Sequence, residues 1–109
     1  MKELKIKTAD GKDFTLAFTR KTVSQMARAG FDINDTYNKP TIGIPQLFAG
    51  AFLRYHRGIK QELVDAIWEE LPSKEKLLEA LIQMYQAPID SLLDDPKEDG
   101  KNASWEVTE

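Results

Sequence analysis

Cysteine is absent from the 109 residues. That one absence removes disulfides, thiolate zinc sites and cysteine nucleophiles together, and it agrees with a reducing compartment. Histidine occurs once, so a metal site built on a pair of histidines is excluded by count. No apolar run approaches the roughly 20 residues of a membrane-spanning helix, and the opening Met1-Lys2-Glu3-Leu4-Lys5-Ile6-Lys7 lacks the apolar middle of a secretory signal. A cytoplasmic location is expected. Missing too are a G-x-G-x-x-G motif, a Walker-type lysine loop and a serine elbow; the Gly-Ile-Pro and Ala-Gly-Ala steps stand too isolated to cradle a phosphate. The nearest approach to a calcium loop, Asp94 to Gly100, carries a proline and a lysine where oxygen ligands should fall.

Charge of one sign is scarce over the chain as a whole. The net charge is −3, but residues 90–109 hold seven acids and two lysines, giving −5 there and +2 over residues 1–89. The acidic end reads as a solvated tail, or as a guard or lure for a basic partner. Arg20, Lys21, Arg28, Arg54, Arg57 and Lys60 are basic without forming a dense stripe, which argues against nucleic-acid binding. A helix-turn-helix would need a shorter connector and a more polar second helix than this chain offers.

What remains is an ordinary composition for one soluble domain, 41% hydrophobic and 30% charged. Leu4 and Ile6, then Phe14, Leu16 and Phe18, alternate with polar or small residues around Asp10-Gly11, which predicts a β-hairpin with one apolar face. Thr22 with Gln25 three positions on resembles a capping box ahead of the stripe Val23, Met26 and Ala27, and Gly30 with Phe31 supplies a helix stop. Asp32 to Lys39 reads as an irregular connector or one loose turn.

The segment Ile42 to His56 is too apolar for a surface helix. At 100° per residue, Ile44, Leu47, Phe48, Ala51, Phe52 and Tyr55 share one broad face while Ala49, Gly50 and Leu53 fall off it. The broad face suits the centre of a core, and the small-residue side admits another helix, from this chain or a partner. Prolines 40 and 45 place its start around Gly43 to Pro45, and Gly58 ends it. A further helix follows over Ile59 to Leu71, with Leu63, Val64, Ile67, Trp68 and Leu71 on one face. Ser73 is the expected cap of the last, which carries Leu77, Leu78, Leu81, Ile82 and Tyr85 and meets Pro88 at a kink or a restart before Ile89, Leu92 and Leu93. Ser104-Trp105-Glu106-Val107 is an isolated apolar patch, read as packing back on the body, as a third strand, or as a docking peptide.

Catalytic constellations are weak. His56 lies beside Arg54, Tyr55 and Arg57 near an expected helix end, where a cation gains about 0.3–1 kcal/mol from the helix dipole without any catalytic role. Glu69 and Glu70 are adjacent, so they diverge by about 100° on a helix and have no partnering base. They read as a solvated face.

The segments F-T-R-K-T-V-S-Q-M-A-R-A-G-F-D-I (18–33), K-P-T-I-G-I-P-Q-L-F-A-G-A-F-L-R-Y-H (39–56), L-L-E-A-L-I-Q-M-Y-Q-A-P-I-D-S-L-L (77–93) and the closing W-E-V (105–107) resemble, in that order, the small tail assembly chaperones of long-tailed, siphovirus-type bacteriophages and of prophages in Gram-positive bacteria. The resemblance implies a non-enzymatic protein of the bacterial cytoplasm, without cofactors, that keeps the long apolar tape measure protein soluble during tail assembly. It implies self-association into homo-oligomers and the major tail protein as a further partner. It carries no catalytic residues over. The candidates for gripping a client helix are Phe52, Leu53, Trp68 and Tyr85, with Trp105 as a second contact, because aromatic and large apolar residues dominate contact centres. Core packing is the competing account of the first four; Met26 and Met84 would add adaptability if exposed. The rival function is a structural head-tail or tail-completion adaptor of the phage particle.

The expected architecture is α+β: a β-hairpin within residues 1–19, four to five short helices within 20–95 forming a small bundle, one domain over 1–95, and a polar acidic tail over 96–109.

Overall fold

Two strands pair where period two required them. In the computed structural model, which describes residues 1–96 and 103–108, β1 (Leu4–Lys7) lies antiparallel to β2 (Asp13–Leu16), with Ile6 opposite Phe14 and Leu4 opposite Leu16. Gly11 takes φ +89°, and the Thr8 hydroxyl organises the turn by accepting the Lys12 N–H at 3.0 Å while donating to the Asp10 carboxylate. That hydrogen bond holds the Asp10 carboxyl below its ordinary range. Alternation fails after Leu16, where Ala17 and Phe18 are both buried as the chain turns inward.

Five helices follow, so the α+β architecture is as expected. α1 (Arg20–Arg28) starts two residues before Thr22 because the cap is Thr19. Its hydroxyl accepts the Thr22 N–H at 3.1 Å, and Thr22 returns the favour by accepting the Thr19 N–H at 2.9 Å. The stop is as read: Gly30 has φ +98°, and the Gly30 and Phe31 N–H groups close on the carbonyls of Ala27 (3.0 Å) and Met26 (2.9 Å), bringing Phe31 into the core. The connector resolves into one turn of helix, α2 (Asp35–Asn38).

The apolar helix α3 runs Pro40–Gly50, earlier at both ends than expected. Pro40 sits in its first turn, where a missing N–H costs nothing. Pro45 is interior, and the helix tolerates it where both Pro45 and Thr41, whose carbonyl loses its partner, are exposed to water. Beyond Gly50 the hydrogen bonds shorten to three-residue steps, Phe52 to Ala49 (3.1 Å) and Leu53 to Gly50 (3.2 Å), so the helix ends in tight turns well before Gly58. Leu47, Phe48, Ala51 and Phe52 are fully buried, as their shared face required. Tyr55 is not: it is 44% exposed, and its hydroxyl donates to the Glu3 carboxylate.

α4 (Gln61–Glu70) buries Val64 and Ile67 but leaves Leu63 exposed. Ser73 does not cap α5 (Lys74–Asp90) with its side chain; it adopts φ +55°. The junction is held instead by the Lys74 ammonium, which donates to the Leu71 carbonyl at 2.6 Å and the Glu69 carbonyl at 3.2 Å, filling acceptors at the end of α4. α5 continues through Pro88 without a restart, because Pro88 lies in its last turn. A single 3-10 turn, Ser91–Leu93, follows, and there the apolar pattern leaves the core: Leu93 is 93% exposed.

One cluster of buried side chains joins these parts, from Ile6 and Leu16 of the hairpin through Met26, Leu47, Phe48 and Phe52 to Val64, Ile67, Leu81 and Tyr85. The helices thereby cover the apolar face of a hairpin that alone would be marginal in water. No helix of the described residues is long and apolar enough to cross a membrane. The expected acidic tail falls largely on residues 97–102 and 109, outside the described residues. Residues 103–108 form no strand.

Candidate functional site

The small-residue side of α3 is used inside the chain before it reaches any partner. Gly50 faces Met26 of α1, and Gly43 faces the backbone of Asp35 and Thr36, so both neighbours approach closer than a side chain would permit. Contact at Gly50 leaves the flanking residues Ala49 and Leu53 half-buried rather than covered.

The result is a groove of about 600 Å³ between α1 and α3, walled by Met26, Ala29 and Phe31 on one side and by Pro45, Ala49 and Leu53 on the other. Gln25, Gln46, Arg57 and Gln61 supply its polar margin. A second groove, about 780 Å³, lies between α3 and α4; Ile44, Phe48 and Trp68 line it, with Asp65 and Glu69 at its edge. Pro45 and Gln61 border both, so they form the ridge between two apolar troughs of opposite charge character. Gln61 is steadied by donating to the Asp65 carboxylate at 2.9 Å.

One polar atom here has no partner. The Gln25 amide oxygen is buried without a hydrogen bond among the described residues. Such an atom is costly, and it belongs to a residue that lines the first groove.

The five sequence candidates separate cleanly. Phe52 is 0% exposed, packed edge-on against Phe14 (5.9 Å between centroids) and Phe48 (5.1 Å). Tyr85 is buried between Phe18 (5.5 Å) and Phe31 (5.4 Å), and burial, with the Asp32 charge second, raises its phenol above the ordinary pKa of 10.0. Both are core residues and present no surface. Leu53 and Trp68 are half-exposed and line different grooves, Trp68 stacking on Phe48 at 4.9 Å with the Lys74 ammonium 5.9 Å from its ring. Trp105 is 86% exposed and touches neither. Met26 lines the first groove, whereas Met84 is buried.

Sequence reasoning missed Gln25, Pro45 and Gln61 as groove residues. A glutamine or an early helical proline carries no local signal of a trough, which exists only once three helices are in place. His56 was misread: it lies beyond the end of α3, and its Nε2 accepts the Thr15 N–H at 3.0 Å. The ring is placed by this tie to the hairpin and by its edge-on contact with Phe14, not by a helix end. Among the described residues, no three of His, Asp and Glu converge to hold a metal.

No curated protein and no solved structure matches the chain. A family model does match, over residues 1–108, and its description is a domain of unknown function (DUF5055). The chain is a member of the DUF5055 family.

Proposed function

We propose that this protein is a non-enzymatic tail assembly chaperone that works in the bacterial cytoplasm, holding the tape measure protein soluble until the tail tube forms around it. The observation that carries the reading is the pair of troughs along α3, whose partly buried lining includes Ile44, Ala49, Leu53 and Trp68. An amphipathic helix lays its apolar stripe into a groove of this kind, with anchors spaced three and four residues apart. The resemblance of residues 18–33, 39–56 and 77–93 to phage tail assembly chaperones supplies the identity of the client. The Pro45–Gln61 ridge favours a helix that straddles it, placing one anchor in each trough.

Coexpression with a tape measure protein tests this. The chaperone reading expects the client in the soluble fraction and copurifying, and expects Leu53→Asp, which places a charge in the first groove at a partly buried position, to return it to the pellet while the variant itself keeps its helical circular dichroism. Equal client solubility with and without the protein would overturn it. Mass spectrometry of finished virions separates the adaptor role: abundant copies in the particle would mark a structural component.

A further inference from the structure

The trough between α3 and α4 is edged by two carboxylates and lined by no cation. We propose that it docks an amphipathic helix of a partner protein that carries lysine or arginine, one helical turn apart, along a flank of its apolar stripe. The inference rests on the trough being a helix-docking surface, as in the chaperone reading, and adds the charge that its occupant must carry.

Along α4, Gln61, Asp65 and Glu69 follow one another at intervals of four, so they form a single row on one wall. Eight residues of helix give that wall a length of about 12 Å, a little over two turns of a docked helix. The α3 side contributes the uncharged Ile44 and Pro45, and Phe48 and Trp68, 4.9 Å apart between centroids, supply the aromatic lining.

The polar groups of the trough are rich in acceptors. The Gln61 amide donates to the Asp65 carboxylate at 2.9 Å, which steadies that carboxylate and leaves it further lone pairs. On the α3 side, Pro45 has no N–H, so the Thr41 carbonyl lacks its helical partner and is one more acceptor. Among the described residues the ion pairs are Lys7 with Asp13 and Lys12 with Asp10, both in the hairpin. The Lys74 ammonium, 5.9 Å from the Trp68 ring, is engaged by the Glu69 and Leu71 carbonyls at the end of α4 rather than by either carboxylate.

The fold itself gives these two acids no reason to be where they are. α4 holds Glu62, Asp65, Glu69 and Glu70 and no lysine or arginine. Like charges four apart on a helix repel, and an acid in the last turn meets the negative end of the helix dipole. Glu70 is accounted for within the chain, since it accepts the Ala9 N–H at 2.8 Å. Asp65 and Glu69 have no such tie to another element among the described residues.

A basic flank on an incoming helix meets both. Cations at positions i and i+4 repeat the spacing of Asp65 and Glu69, while the apolar stripe beside them enters toward Ile44, Phe48 and Trp68. The aliphatic stems of those cations cover further apolar surface on the way to the carboxylates. An acidic helix would set like charges face to face. The first trough does not share this preference, because Arg57 is its one charged lining residue. A helix that straddles the Pro45–Gln61 ridge is thereby oriented, with its basic part toward α4.

Two synthetic amphipathic peptides with the same leucine stripe test the inference, one flanking the stripe with lysines four residues apart and the other with glutamates at those positions. Binding is followed by Trp68 emission in a Trp105→Phe background, with no tape measure protein present. The lysine peptide should bind at least roughly tenfold more tightly than the glutamate peptide at low ionic strength, and the margin should shrink as salt rises. Asp65→Lys combined with Glu69→Lys, both at exposed positions, should reverse the order of the two peptides and leave the helical circular dichroism unchanged. Equal affinity for the two peptides overturns the inference, and so does failure of both to bind. A preference for lysine that survives the double substitution overturns it as well, because the attraction would then arise elsewhere on a chain of net charge −3. Coexpression with a tape measure protein reads the chaperone function separately, so each can fail without the other.

Discussion

The backbone N–H of Thr15 in β2 donates to Nε2 of His56, 3.0 Å away and beyond the end of α3. Two residues on, Ala17 donates to the Ala51 carbonyl at the same distance. The turn after α3 therefore covers the outer edge of β2, the side on which an unpaired strand would recruit another chain. His56 also stacks edge-on against Phe14 at 5.2 Å, so one imidazole ties hairpin to helix by both packing and hydrogen bonding.

Replacing His56 by Ala should leave the Thr15 donor unmet and cost about 1–3 kcal/mol. His56→Gln, which retains an acceptor on a side chain of similar reach, should recover part of the loss. Urea unfolding midpoints of the three proteins check the order; equal stability of the Ala and Gln variants would remove the hydrogen bond from the account.

Glycines 43 and 50 should respond differently to the same substitution. A Cβ at Gly43 would lie 2.5 Å from the Asp35 carbonyl oxygen and from the Thr36 nitrogen, both backbone atoms of α2. Gly43→Ala must separate two helices and should cost about 3 kcal/mol. At Gly50 the obstacle is the flexible end of Met26, which borders the open groove and can swing into it. There the roughly 1 kcal/mol helix-propensity gain of alanine offsets much of the crowding, so Gly50→Ala should fall within about 1 kcal/mol of the parent in thermal melts.

The hairpin and the stop of α1 were legible because each has a local cause: period two around Asp10-Gly11, and a glycine placed for positive φ ahead of Phe31. The end of α3 was not. Ala51, Phe52 and Tyr55 continue the 100° pattern of apolar residues after the hydrogen bonds have switched to three-residue steps, and periodicity cannot see that change. Of the site, Leu53 was legible because it falls off the buried face. Trp68 shares its helix face with Val64 and Ile67, so only the packing of α4 against α3 decides that its ring is partly rather than fully buried. The Gln25 oxygen, unpaired among the described residues, is equally a product of packing, since in sequence that residue reads as one more polar position on a short helix.

Among the five candidate contact residues, the fold divides core from surface sharply enough to be measured. Phe52→Ala should lose about 3–5 kcal/mol, because it empties the centre of an aromatic cluster that includes Phe14, Phe48 and His56. Trp105→Ala should change the stability of the isolated chain by no more than about 0.5 kcal/mol. Denaturant titrations test the contrast; a large loss on removing Trp105 would mean that it packs on its own body.

Tyr85 makes the fold sensitive to strong alkali. Its phenol is raised above 10.0 chiefly by burial, and the Asp32 carboxylate adds repulsion against the phenolate. The folded state thus holds this proton more tightly than the unfolded chain, whose tyrosines titrate near pH 10. The sign follows: Tyr85 contributes its full stability below about pH 10 and loses it as pH rises toward the folded value. Tyr85→Phe keeps the edge-on contacts with Phe18 and Phe31 and has nothing to ionise. The variant should therefore retain helical circular dichroism to higher pH than the parent, and identical alkaline midpoints for the two proteins would show that the phenol escapes burial before it ionises.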